Sequence, residues 1–386
     1  MMFMEFFVLG STMPIISLYL KNELGLSGTR IGIIMAVSAV SSLVSPVISA
    51  CVADRLISAE RLLSIMHFIS AFMLYGMRSS TGFTPVLLFY FFYWLLIGPT
   101  TALTTAITFH HAPHAVKNFG GIRLWGTIGW IAAAWTFRFW FSAPSDPAYA
   151  GNLDGALLMG IYGSLLLGAS ALLIPGRMLP PREPIVLLPP DALRIIKRPQ
   201  FLIFVLFAVV ITLADRMYMY GGGPFLQSLG YRSENIMPVL SIGQMPEIFG
   251  LALLGFFIGR FGIRNTLLLG ALFEIIRFAL FTTNISGFPL YGAISLHGLA
   301  YGFFFVTASI HIDRHCDAKS RSGVHQYFAL LVGGTGNLVG NIISGFVAEQ
   351  TGITASADAS FTVFWMTALL LSIAGFLGIL FTFRDK

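Results

Sequence analysis

Long apolar runs separated by short polar breaks set the pattern of this chain. Spans are predicted near 2–20, 30–52, 61–78, 84–109, 121–142 and 154–175. A polar, proline-rich stretch from Pro175 to Gln200 follows, and then spans near 201–220, 233–258, 264–283, 287–311, 323–348 and 359–383. Each run approaches the ~20 residues with which a helix crosses a hydrocarbon core. The runs are too long for barrel strands and do not alternate, which excludes a transmembrane β-barrel. The expected fold is an all-α membrane protein of twelve transmembrane helices in two six-helix bundles. Residues 1–175 form the first bundle, 176–200 a central cytoplasmic loop and 201–386 the second bundle.

Composition narrows this further. Of 386 residues, 56% are hydrophobic and 10% charged, against about 25% charged in a soluble domain. A soluble fold does not expose apolar surface on that scale, so lipid is the expected solvent. The net charge of +6 does not signal nucleic-acid binding, because the basic residues fall in short loops on one side. Those loops carry Arg55 and Arg61, Lys117, the group from Arg177 to Arg198, Arg260 and Arg264, Arg314 to Arg321, and Arg384 with Lys386; the opposite loops hold Lys21, Arg30, Arg232 and little else. Positive-inside bias then places both termini in the cytoplasm. Cys51 and Cys316 fall near cytoplasmic helix ends, so no disulfide is expected. The first twenty residues lack a basic lead and a small-residue cleavage site, and are expected to be a retained helix.

The two halves repeat. Ala50-Cys51-Val52-Ala53-Asp54-Arg55 follows the second span, and Gly255-Phe256-Phe257-Ile258-Gly259-Arg260 follows the eighth. Both are short basic turns after the second helix of a half. The placement is similar to the parallel six-plus-six repeat of major facilitator superfamily transporters. The turns resemble that superfamily's Gly-x-x-x-Asp-Arg loop. The first keeps Asp54 and Arg55 but has Ala50 for glycine. The second keeps Gly255 and Arg260 but has Gly259 for aspartate. These residues are expected to serve as a gating loop.

Ionisable residues at membrane depth are costly and mark function by default. Here they are Glu5, Arg123, Arg138, Asp215, Arg216, Glu247, Glu274 and Arg277, with His297, His311 and Asp313 on the tenth span. Arg123, Thr127 and Trp130 recur at i, i+4 and i+7, so a cation, a hydroxyl and an aromatic plate share a helix face. Gly126 and Gly129 suit close packing on another face. Snorkelling to the cytoplasmic interface is the competing explanation for Arg123. Gln244 and Glu247 share a face across Pro246, midway along the eighth span, which makes Glu247 the candidate proton carrier. Asp215 and Arg216 are adjacent and should diverge by about 100° on a helix. The run Gly221-Gly222-Gly223-Pro224 is expected to break the seventh span as an outer gate. Glu274 and Arg277 are expected to form an internal salt bridge. Glu5 is either interfacial or cavity-lining, and Arg138 is expected to snorkel. His297 and Tyr301 are four apart and expected to share a binding face, while Asn337 and Asn341 are expected to bond across helices.

The chain carries no Gly-x-x-x-x-Gly-Lys-Ser/Thr phosphate loop. His110, His111 and His114 lack further ligands for a metal. No enzyme activity, metal or organic cofactor is expected.

At Arg123-Leu124-Trp125-Gly126-Thr127-Ile128-Gly129 and Gln244-x-x-Glu247 the chain resembles the nucleoside:proton symporter family of the major facilitator superfamily. Val52-Ala53-Asp54-Arg55, Arg277-Phe278-Ala279-Leu280-Phe281 and Gly302-Phe303-Phe304-Phe305 extend the similarity over both halves. The resemblance implies substrate contacts from Arg123, Thr127, Trp130, Gln244 and Glu247, with Arg216, His297 and Tyr301 lining the cavity. It implies proton coupling at Glu247, the proton being the coupling ion. Some members carry a span-ten carboxylate where this chain has Gly302, and span-seven amides where it has Arg216 and Met219. The expectation is a monomeric, multi-pass proton symporter of the bacterial cytoplasmic membrane, importing nucleosides by alternating access. A proton-coupled sugar or oligosaccharide symporter and an uncoupled facilitator remain the alternatives.

Overall fold

The computed structural model describes residues 1–40, 57–112, 115–141, 153–176, 190–317, 320–355 and 359–383. Asp54 and Arg55, Cys51, His114 and most of the expected central loop lie outside the described residues. Among the described residues the chain is helical, without strands. It divides into two units, Met1–Ile185 with Tyr231–Pro238, and Val186–Gly230 with Val239–Lys386. Among the described residues eight helical stretches are long and apolar enough to cross a membrane. One of them, Ser233–Thr282, has 50 residues, enough for two crossings at about 20 residues each.

In the first unit the helices are α1 (Met2–Thr12), α2 (Ile16–Asn22), α3 (Gly28–Ala36), α4 (Ala59–Arg78), α5 (Phe83–Ile97), α6 (Thr100–His111), α7 (Ala115–Phe141) and α8 (Asp154–Leu172). Two expected spans are interrupted where proline removes a backbone donor, at Pro14 between α1 and α2 and at Pro99 between α5 and α6. Helix α1 packs against α7 and α8, and α4 against α5 and α8. The α1–α7 crossing is close: a Cβ on Gly129 would collide with the Phe3 carbonyl, and one on Gly10 would lie 2.9 Å from the Trp130 Cα. This is the close-packing role expected of Gly129. Ser64 donates to the Gly168 carbonyl at 2.8 Å and ties α4 to α8.

The second unit contains α9 (Pro190–Ile196), α10 (Pro199–Ser228), α12 (Gln244–Thr282), α13 (Phe288–Ala300), α14 (Thr307–His315), α15 (Arg321–Phe328), α16 (Asn337–Gln350) and α17 (Thr362–Thr382); α11 (Ser233–Ser241) falls across the division between the units. Wide π-helical turns, Tyr301–Val306 and Ala329–Gly336, join α13 to α14 and α15 to α16. Trp365 is fully buried among Phe225, Phe278, Phe281 and Phe364, which binds α10, α12 and α17 into one aromatic core.

Two expectations are corrected here. The glycine run does not break the seventh span, because α10 continues through Gly221, Gly222, Gly223 and Pro224 to Ser228. Gly221 instead lets α10 approach α17: a Cβ there would overlap the Phe364 ring. The eighth span breaks at Ile242–Gly243, ahead of Pro246, which falls in the first turn of α12 where its missing N–H has no helical acceptor to lose. The short basic turn near Arg260 is present as a break between two helices at Gly262, whose φ of 79° and ψ of 168° are not helical and which only glycine adopts easily. Arg260 is exposed beside this kink. Arg264 donates to the carbonyls of Phe383 at 2.8 Å and Leu380 at 2.6 Å, capping the end of α17.

Candidate functional site

Helix α7 begins at Ala115, so Arg123 lies about two turns inside it. Its guanidinium carbon sits 4.0 Å from the centre of the Phe6 ring on α1, a cation–π stack. Gly126 leaves the room: a Cβ there would lie 2.7 Å from both Arg123 Nη1 and the Phe6 ring. Arg123, Thr127 and Trp130 are all half-buried, whereas Trp125 is exposed. A flat aromatic seat orients the guanidinium without neutralising it, which keeps its five N–H donors available to an oxygen-rich ligand.

In the second unit, Gln244 and Glu247 are half-buried in the first turn of α12. Their backbone meets α13 directly. A Cβ on Gly298 would collide with the Gly243 carbonyl and lie 2.7 Å from the Glu247 nitrogen. Glu247 is therefore fixed at a helix crossing that no larger residue at 298 permits.

Behind this crossing lies a buried charged cluster. The expected Glu274–Arg277 bridge is formed, with both side chains 1% exposed or less. Arg277 also reaches His297 Nδ1 at 2.7 Å and Asp215 at 4.0 Å, and lies over the Tyr218 ring at 4.3 Å. A guanidinium only donates, so His297 Nδ1 accepts and the ring proton sits on Nε2. Arg216 folds back onto the Asp215 carboxylate. This corrects the expectation that the two diverge: the long Arg216 side chain reaches across the angle between adjacent helix positions. Two carboxylates thus face two guanidiniums. Asp215, Glu274 and His297 have donor atoms within 4.8 Å of one another, but the guanidiniums already occupy them and repel a metal cation.

His297 and Tyr301 do not share surroundings. His297 is buried in the cluster, whereas Tyr301 is 42% exposed at the start of a π-helical turn, with its ring tilted against Phe305. Asn341 donates to the Asn337 side chain and carbonyl one turn earlier on the same helix. His111 pairs with Glu60 at 2.7 Å, so it belongs to a side-chain pair.

A second polar centre lies in the first unit and was only half visible in the sequence. Glu5 is fully buried, which removes the interfacial alternative. Its carboxyl meets Thr100 Oγ1 at 2.5 Å, Thr104 Oγ1 at 3.0 Å and His67 Nε2 at 3.2 Å. His67 was missed as an intramembrane group. The signal was present: it stands within an otherwise apolar run, Ile65-Met66-His67-Phe68-Ile69.

The whole chain, residues 1–386, matches the family model described as "Nucleoside H+ symporter". It is 31% identical over 365 residues to the putative nucleoside transporter YegT of Escherichia coli K12, spanning 91% of this chain and 83% of that protein. It is 26% identical to the xanthosine permease of the same organism, over 100% of this chain and 94% of the permease. The crystal structure of the nucleoside transporter NupG superposes with a TM-score of 0.87 at 24% identity, covering 100% of this chain and 98% of that one. This likeness establishes the major facilitator fold. With a polar face on α7, a carboxylate at the α12–α13 crossing and a family match from end to end, the chain belongs to the nucleoside H+ symporter family.

Proposed function

We propose that Glu247 is a proton carrier of this symporter and that Arg123, Thr127, Trp130 and Gln244 bind its substrate. The chain is a multi-pass, proton-coupled nucleoside transporter, not an enzyme, and works by alternating access. The observation carrying the residue assignment is the seat of Glu247, half-buried where α12 meets Gly298. A carboxylate there is near enough to water to load a proton, and its backbone position is fixed. Arg123, held flat on Phe6, is suited to fork onto ribose hydroxyls. Trp130 supplies a face on which a base stacks. His297 and Arg216 act one step back, holding Arg277 and Asp215 in place, while Tyr301 is exposed enough to meet substrate. Residues 1–175 and 201–386 serve as the two bundles, joined by the central loop, with Asp54, Arg55 and Arg260 in the gating turns. We further place the protein as a monomer in a bacterial cytoplasmic membrane with both termini inside, on the bias of its basic loops.

Glu247→Gln tests this. In proteoliposomes with an imposed pH gradient, the variant should lose accumulation of labelled uridine while retaining counterflow exchange. Wild-type accumulation by Glu247→Gln removes the residue from coupling. Competition by unlabelled nucleosides but not by sugars in the same assay separates the nucleoside substrate from the sugar alternative.

A further inference from the structure

The Glu5–His67 pair has no part in the scheme above, yet its geometry is that of a group holding a proton. Thr100 Oγ1 lies 2.6 Å from the Ile97 carbonyl and 2.5 Å from Glu5 Oε1. A hydroxyl has one hydrogen and cannot fully satisfy two acceptors. Both contacts are met when Thr100 donates to Ile97 and Glu5 Oε1 carries a proton that it donates to Thr100. The other oxygen, Oε2, accepts from Thr104 and from His67 Nε2. His67 Nδ1 is buried with no hydrogen-bond partner, which suits a bare lone pair far better than an N–H. The pair is then a neutral carboxylic acid beside a neutral imidazole, with one exchangeable proton.

The second unit shows the contrasting arrangement. Offset by 210 residues in both cases, Glu5 and His67 correspond to Asp215 and Arg277. There the carboxylate lies 4.0 Å from a guanidinium, a permanent cation, within a cluster of balanced charge. In the first unit the guanidinium position is taken by the imidazole of His67, which unlike a guanidinium can be neutral. Among the described residues no guanidinium or ammonium is bonded to the Glu5 carboxyl, whose partners are Thr100, Thr104 and His67. Tyr93 on α5 reaches Thr12 at 3.5 Å, the α-amino group of Met1 at the head of α1 attracts Glu5 without bonding it, and Arg123 on α7 is engaged with Phe6. Asp154 at the start of α8 is paired with Arg78. Two turns along α4 from His67, Glu60 is bonded to His111, which is 28% exposed. Leu63 and Ile107, both buried, lie between the two pairs on the same helices.

We propose that Glu5 and His67 form a second proton-carrying site, taking up and releasing one proton in each transport cycle alongside Glu247. The proposal rests on the symport reading above, and its test separates the two. Uridine uptake into proteoliposomes and luminal acidification are measured together over a range of external pH. Glu5→Gln keeps the shape and a hydrogen-bonding group but cannot ionise. His67→Gln keeps a donor but cannot take a proton. Each should halve the proton-to-uridine ratio and flatten the pH profile, with counterflow within twofold of wild type. Glu247→Gln, by contrast, should lose accumulation outright. A pH-dependent carboxylic-acid carbonyl band in infrared difference spectra should vanish in Glu5→Gln. Should Glu5→Gln not fold, Glu5→Asp carries the test: it retains a proton and moves the midpoint of the pH profile without changing the ratio. A wild-type ratio and profile in any folded variant of Glu5 or His67 overturns the second site while leaving Glu247 untouched.

Discussion

Arg277 is fully buried, and Asp215, Glu274, His297 and Tyr218 all lean on it. Removing one partner of a buried ion pair leaves an uncompensated charge, at a cost of about 3–5 kcal/mol. Arg277→Met should therefore lower the thermal unfolding midpoint in detergent far more than a substitution of similar volume on the lipid face. Adding Glu274→Met to it should recover part of the loss, because Asp215 then still has Arg216. The i, i+3 spacing of Glu274 and Arg277 made their bridge legible in the sequence. Their link to Asp215 and His297 was not legible, since it joins α10, α12 and α13 across about eighty residues of chain and depends on helix rotation. Arg216 misled for a related reason: helix geometry fixes where a Cβ points, not where a long, flexible side chain ends.

The crossing of α12 with α13 depends on one missing side chain. A Cβ on Gly298 would overlap the Gly243 carbonyl, so Gly298→Val must push the helices apart and carry Glu247 with them. Small displacements of positioned groups cost orders of magnitude in function. Gly298→Val should abolish pH-driven uridine uptake, whereas Gly292→Val, on the same helix with nothing within 4 Å, should retain it. Glycines were harder to interpret from sequence than charges. The run at 221–223 read as a break and proved a close approach, whereas the basic turn at 259–264 is a turn, made at Gly262 between two helices. In a membrane helix glycine serves packing as often as flexibility, and the neighbouring helix that decides between them is not adjacent in the chain.

At the scale of the whole molecule, the class was written in the sequence almost completely. Span lengths and apolar content follow from the bilayer, which imposes the same demands along the entire chain. What the bilayer does not dictate was missed: the proline breaks in α1–α2 and α5–α6, and the burial of Glu5 against His67. Among the described residues the two π-helical turns also belong only to the second unit, Tyr301–Val306 within the stretch Phe288–Arg314 and Ala329–Gly336 within Gly323–Gln350. Each is an extra residue absorbed into a turn. Its carbonyls find their donors one position later than in the helix on either side. Such a dislocation can glide along a helix by exchanging one bond at a time, without exposing backbone to lipid. The second unit thus holds two turns, within Phe288–Arg314 and Gly323–Gln350, at which the hydrogen-bond register shifts. Amide exchange at 301–306 and 329–336 should outpace that of the flanking helical residues, and added nucleoside should slow it.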